Sequence, residues 1–291
     1  MALMLPPGIH LNIPAAAYHA DPCGVPSLSS GIARTLLAAS PMHAWHRHPR
    51  LNPQHTDGGS SDTMDAGTIL HKILLGRGGD IEVIDAADYK ANAARAARDA
   101  ARADGKTPIL AHKLDGLHEC AKAARQQIEA HPDARHLFEP GDAEAVLIWN
   151  EPGITCRAMV DFLPHAPTMP MLDLKTTKMS AAPESWQRSL ISTYCIQDEF
   201  YNSGNAILAR PRPPMRFIVI EQDAPYGVSV LCADPSLSAV AAQKVERAKA
   251  IWRQCMHSGD WPGYPLHTAH VAAPAWMLSA MEDEQFMEAA E

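Results

Sequence analysis

After Gly141 the chain changes period. Upstream it reads as helical; from there AEAVLIW, ITCRAMVDFLP and MPMLDLKTT follow as three strand candidates, separated by EPG and the proline-rich HAPTMP. A period of two sends alternate side chains to opposite faces of a sheet, so this run commits the second half of the chain to one. A long helix follows with Pro183 as its N1 residue. RFIVIEQ and YGVSVLCAD then read as a hairpin across DAP, and a last helix covers roughly 236–258. The order helices, three strands, helix, two strands, helix predicts a mixed α/β fold.

The first half is helical or irregular in pattern. Residues 1–26 are proline-rich and are expected to wrap the surface without regular structure. A serine N-cap at Ser29 or Ser30 opens a short helix that ends before Pro41. Residues 51–63 read as a loop, and TMDAGTILHKILLG as a helix stopped at Gly76. The alanine-rich stretch 85–131, broken at DGKTP, has high helix propensity and reads as a helical arm inserted before the core strands. Residues 280–291 form an acidic tail expected to fray, and the whole of 1–291 reads as one domain.

Composition removes several classes. With 33 acidic residues against 25 Lys and Arg, the net charge of −8 argues against a uniformly basic nucleic-acid coat but leaves room for a local groove. Six scattered cysteines without a C-x-x-C pair suggest neither a disulfide framework nor a zinc ribbon. MALMLPPGIHLNIP lacks a basic leader region, and no apolar run approaches the ~18 residues of a membrane span, so a cytoplasmic protein with no membrane partner is expected. Gly105-Lys106-Thr107 has Ala100 where a P-loop needs glycine. In HAWHRHP only His43 and His46 share helical spacing, with no acid or cysteine nearby, which makes a poor zinc site.

Asp-x-Lys occurs three times, at Asp88/Lys90, Asp104/Lys106 and Asp173/Lys175. Only the last falls in a strand, where both side chains share one face and Leu174 takes the other. Burying such a pair costs several kcal/mol per ion unless something compensates, so it is either a structural ion pair or chemistry. The preceding strand carries Asp161 at the end of its apolar run. If the two strands pair as a hairpin, both carboxylates converge on one edge, a donor set that suits Mg²⁺ or Mn²⁺, with Lys175 beside it to polarise a water or steady a phosphoryl oxygen. On the next helix Tyr194, Gln197 and Tyr201 share a face, and Gln197 stands where a core stripe would carry Leu or Ile.

Together these residues resemble the PD-(D/E)XK nuclease superfamily, in particular its phage and prophage exonuclease VIII (RecE-like) branch. The resemblance rests on Asp161, Asp173-x-Lys175 and Tyr194-x-x-Gln197-x-x-x-Tyr201, with PSLSSGIARTLLAASPMHAW, GTILH and WPGY in the same order as in that branch. It departs from the pattern in having Val160, not proline, before Asp161; Asp173 rather than Glu before x-Lys is a variant the branch allows.

The resemblance implies a restriction-endonuclease-like core, a mixed central sheet flanked by helices with an N-terminal helical extension. It implies that His71, Asp161, Asp173 and the Leu174 carbonyl hold Mg²⁺ (or Mn²⁺), and that Glu144 contacts a second metal or its water. Lys175 would assist the nucleophilic water, Gln197 and Tyr194 would orient Lys175 or the scissile phosphate, and Tyr201 would lie nearby. The implied activity is exonucleolytic hydrolysis of linear double-stranded DNA from its ends, 5′→3′, in phage-type recombination with a RecT-like single-strand annealing protein. The implied assembly is a ring-shaped homo-oligomer, trimer or tetramer, with the 85–131 arm as a candidate subunit contact. A RecB- or Cas4-like nuclease acting on single strands or flaps, or a non-catalytic DNA-end-binding module, are the alternatives. The isolated Cys232 and Cys255 speak against an iron–sulfur cluster. Candidate DNA contacts are Arg188, Arg210, Arg212, Arg216, Lys244, Arg247, Lys249 and Arg253.

Overall fold

The alternation beyond Gly141 forms a sheet in the order Gly8–His10, Gly141–Glu151, Ile154–Pro164, Leu172–Thr177, Arg216–Glu221 and Val228–Leu231, with Leu28–Ser29 paired to Ile154–Pro164. A computed structural model describes residues 3–56, 61–208 and 213–279. In chain order the elements are β1 (Gly8–His10), α1 (Ala15–His19), β2 (Leu28–Ser29), α2 (Ser30–Ala38), α3 (Pro41–Arg47), α4 (Asp62–Leu75), β3 (Ile81–Ile84), α5 (Asn92–Ala103), β4 (Thr107–Leu110) and α6 (Ala111–Ala130). Then come β5 (Gly141–Glu151), β6 (Ile154–Pro164), β7 (Leu172–Thr177), α7 (Pro183–Ser189), a π-turn (Leu190–Tyr194), α8 (Cys195–Ile207), β8 (Arg216–Glu221), β9 (Val228–Leu231) and α9 (Pro235–Ser258). This is the expected mixed α/β fold, a central, mostly antiparallel sheet flanked by helices.

The local signals act as their chemistry dictates. Ser29 caps α2 by accepting from the Ile32 amide, and Gly76 closes α4 in the left-handed conformation. Pro183 opens α7, where its missing N–H costs nothing.

Two apolar layers cover the sheet. On one face α2, α7, α8 and α9 pack through Ile32, Leu36, Trp186, Phe200, Val245 and Trp252 onto Leu147, Trp149, Phe217 and Val219. On the other, Leu70 and Leu74 of α4 and Cys120, Ala124 and Ile128 of α6 pack onto Leu172, Leu174, Ile218 and Ile220. At about 25 cal/mol per Å² of apolar surface, these layers are the main stabilising term.

Three expectations need correction. Residues 1–26 are not without regular structure: β1 pairs antiparallel with β5, and α1 buries Tyr18. The stretch 85–131 is not only a helical arm. It contains β4, paired parallel with β3, and its second helix, α6, is part of the core. Alanine at positions 121 and 124 lets that helix approach the sheet closely, and the same residues read as solvent-facing when judged by propensity alone. The supposed loop 51–63 gives its last residues to α4. The 280–291 tail lies outside the described residues.

One feature of the topology positions the site. β5 pairs with β6 along its whole length, from Gly141↔Pro164 to Glu151↔Ile154. Both β2 and β7 therefore share the other edge of β6, β2 at Cys156 and Arg157 and β7 at Phe162. Residues 158–161 of that edge face a gap between them.

Candidate active site

β6 and β7 meet through a single register pair, Phe162↔Leu172, and then diverge. In that antiparallel register Asp161 and Asp173 are the next opposed positions, so the two acids face each other where the strands begin to part. The Asp161 Oδ2 accepts the Leu174 amide at 2.7 Å, taking a backbone donor that a continued ladder would have used.

From the opposite face of β7 comes α4. Gly67 lies against Thr176, where a Cβ would stand 2.7 Å from the Thr176 Oγ1. One helical turn later, His71 reaches the backbone of β7. Its Nε2 is 2.9 Å from the Leu174 carbonyl and 3.2 Å from the Asp161 Oδ2. A nitrogen between two acceptors carries the ring proton here.

Asp173 is buried. Its Oδ2 is paired with the Lys175 ammonium, and its Oδ1 accepts from the Gln197 Nε2 at 2.5 Å. The Lys175 Nζ also lies 4.9 Å from the centroid of the Tyr194 ring. Tyr194 in turn stacks on Trp186, with centroids 4.9 Å apart and planes 6° from parallel. Tyr194 ends the π-turn, whose extra residue resets the helix just before Gln197.

Electrostatics follow from crowding two acids out of water. Burial, and then the charge of Asp173, push the Asp161 carboxyl up to about 6, against the opposing pull of His71 and Lys175. For Lys175, burial acts to lower the pKa, but Asp173 and Asp161 outweigh it and the net shift is upward. Lys175 is therefore an ammonium at neutral pH.

Residues 48–271 match the family described as "PDDEXK-like domain of unknown function (DUF3799)". This chain belongs to that family. Its fold is also that of a crystal structure from Eubacterium rectale described as "Putative exonuclease", with a TM-score of 0.52, 11% identity, and coverage of 88% of this chain and 92% of that one. No curated protein matches the sequence significantly.

The site's donors fit the divalent cation that a PDDEXK-like fold implies. The His71 Nε2 is already within 3.2 Å of both the Leu174 carbonyl and Asp161, and the cost of ionising Asp161 beside Asp173 is what a cation would remove. Among the described residues no three His, Cys, Asp or Glu side chains already form a cage. His71 is committed to Asp161, and Asp173 to Lys175 and Gln197, so loading requires these bonds to be exchanged for metal bonds.

The remaining expected residues of this PDDEXK-like chain fall as follows. Glu144 lies on β5 between the paired Ala143↔Phe162 and Ala145↔Val160, hence across from Asp161, at φ 54°. Its Oε1 is turned toward the loop after α4, 3.7 Å from where a Cβ on Gly78 would stand. Tyr201 shares the helix face of Gln197 and is likewise buried, hydrogen-bonded to Ser30, with burial holding its pKa well above the usual value.

Two of the expected DNA contacts are otherwise engaged. Lys249 is buried between Glu151, at 2.7 Å, and Glu246, at 3.0 Å, while Arg253 bonds the Pro152 carbonyl and Glu151. Arg210 and Arg212 lie outside the described residues. Arg188 is exposed on α7, and Arg216 bonds the Pro214 carbonyl at the start of β8.

Sequence reasoning missed Trp186, Ser30 and Thr176. Trp186 was legible in principle as an aromatic two turns before Tyr194, whereas contacts of Ser30 and Thr176 with distant segments leave no local signal. It also missed a buried network behind β2, in which Arg157 reaches the Asp21 Oδ1 at 3.2 Å and the Ser27 Oγ at 2.6 Å. There His48 bonds the Ser27 carbonyl at 3.0 Å, and burial brings its pKa down to about 4.

Proposed function

We propose that this chain is a metal-dependent exodeoxyribonuclease that hydrolyses phosphodiester bonds of linear double-stranded DNA from its ends. The observation that carries this reading is the meeting of Asp161, Asp173 and Lys175 where β6 and β7 part, with His71 and the Leu174 carbonyl on the same centre. The PDDEXK-like family supports phosphodiester chemistry, and the description of the Eubacterium rectale neighbour supports action from ends. The resemblance to the RecE-like branch extends the proposal to 5′→3′ polarity, a RecT-like annealing partner and a ring-shaped homo-oligomer.

Asp161, Asp173, the Leu174 carbonyl and His71 would hold Mg²⁺ or Mn²⁺. When bound, the ion supplies Lewis-acid stabilisation of the phosphoryl oxygens and a water of lowered pKa. The chain's own residues do the positioning. Lys175, kept protonated by its acids and steadied over Tyr194, donates to the attacking water or a non-bridging oxygen and does not act as a base. Gln197 holds the Asp173 carboxylate in one orientation. Trp186 locks the Tyr194 ring beneath the lysine.

End-labelled linear duplex, incubated with Mg²⁺ or with EDTA, tests the proposal beside the Asp173→Ala variant. Product with Mg²⁺ alone, lost in a folded variant, supports it. Equal digestion by wild type and variant, or none by either, overturns it.

A further inference from the structure

Two adjoining hollows, sharing Gly31 and Arg47, run along the start of α2. The first, about 420 Å³, reaches Arg157 on β6; the second, about 540 Å³, lies between α2 and α9. Arg34, Arg47, Lys244 and Arg247 line the second, and Arg47 and Arg157 the first. Among the described residues no Asp or Glu lines either hollow, although the chain carries 33 acids against 25 Lys and Arg.

Among the described residues, no carboxylate lies within ion-pair distance of Arg34, Arg47, Lys244 or Arg247, whereas Lys249 and Arg253, further along α9, are both paired. Four cations brought from three elements into one groove repel each other and concentrate positive potential. An anion that fills the groove removes that cost. Hydroxyls of Ser192 and Thr193, on the π-turn that precedes Gln197, line the same wall and add neutral donors.

The groove adjoins the candidate active site. β2 ends at Ser29, α2 starts at Ser30, and β2 pairs with β6 at Arg157, four residues before Asp161 on the same edge. At ~3.3 Å per residue that separation is about 13 Å. Thr193 lies one turn before Gln197 on the helix that covers Asp173.

We infer that this groove, through Arg34, Arg47, Lys244 and Arg247, tracks the phosphate backbone of one DNA strand as it enters or leaves the centre of Asp161 and Asp173. The inference rests on the nuclease reading above and names the strand path within it. Hollows of about 420 and 540 Å³ suit a single backbone, not the width of a duplex.

Binding of a fluorescent linear duplex with a single-stranded end, measured by anisotropy in EDTA over a series of KCl concentrations, tests the inference. Each lost phosphate contact on a single strand lowers the slope of log K against log [salt] by ~0.7, so the Arg34→Ala/Arg247→Ala protein is expected to lose about 1.4 in slope. Lys122→Ala, which removes an exposed cation from α6 on the opposite face, is expected to bind as wild type does. Should loss of Arg34 disturb α2, the exposed Arg47→Glu and Arg247→Glu variants carry the same test. Unchanged slope and affinity in folded groove variants, with wild type still cleaving DNA, would overturn the groove and leave the nuclease reading standing. A wild-type protein that neither binds nor cleaves DNA would overturn the nuclease reading, and the groove with it.

Discussion

Gly67 packs directly against Thr176, so close that a Cβ there would stand 2.7 Å from the threonine hydroxyl. This contact fixes how far α4 sits from β7, and thereby whether His71 reaches the Leu174 carbonyl and Asp161. Gly67→Ala is expected to push α4 outward, at a cost of about 1–3 kcal/mol in stability. Cleavage should fall by more than tenfold while DNA affinity in EDTA holds. Full activity in Gly67→Ala would mean that the helix does not set the site.

Asp161 makes stability depend on pH in a definite sense. Its carboxyl titrates near 6 in the folded chain, raised from an ordinary 3.8 by burial and by Asp173. Between those values the folded state holds more protons than the unfolded one, so this group's contribution favours folding at low pH and is lost as pH rises through about 6. Asp161→Asn removes the charge but keeps an acceptor for the Leu174 amide. In EDTA its Tm should exceed that of wild type by a margin that grows from pH 4 to pH 7, with cleavage abolished. A margin independent of pH would contradict the electrostatic account.

Divalent cation should stabilise wild type and not Asp173→Ala. A ligand that binds only the folded state adds about 2.7 kcal/mol at a hundred times its Kd. Thermal melts with and without Mn²⁺ check this, and an equal rise in both proteins would place the ion elsewhere.

The network of Asp21, Ser27, His48 and Arg157 ties the N-terminal segment to β6, and so builds the wall that faces β7. Arg157→Met leaves Asp21 buried without its nearest charge and is expected to cost about 3–5 kcal/mol in urea unfolding. A loss below about 1 kcal/mol would show that the network is not what holds β2 in place.

Much of the site was legible because strand period and charge coincide in one place. Asp173 and Lys175 share a face by the rule of two, and Gln197 stands out on a helix face that should be apolar. The Gly67 to His71 spacing was readable as one helical turn, although the reason for the glycine, the approach to Thr176, is a tertiary contact. What could not be read came from segments too short or too plain to carry a pattern. β2 has two residues, and β3 and β4 pair across the whole of α5. The core role of α6 was hidden by its alanines, which pack closely because they are small. The cation groove gathers residues from α2, α3 and α9, and no local motif links them.

In the proposed centre His71, Asp161, Asp173 and the Leu174 carbonyl surround one cation. Anomalous scattering from crystals soaked in Mn²⁺ measures this directly. A single peak at bonding distance from Asp161, Asp173 and the Leu174 carbonyl, with His71 adjoining, is the predicted result. A fully loaded crystal with its manganese elsewhere, and Asp173 still clasped by Lys175 and Gln197, would contradict it.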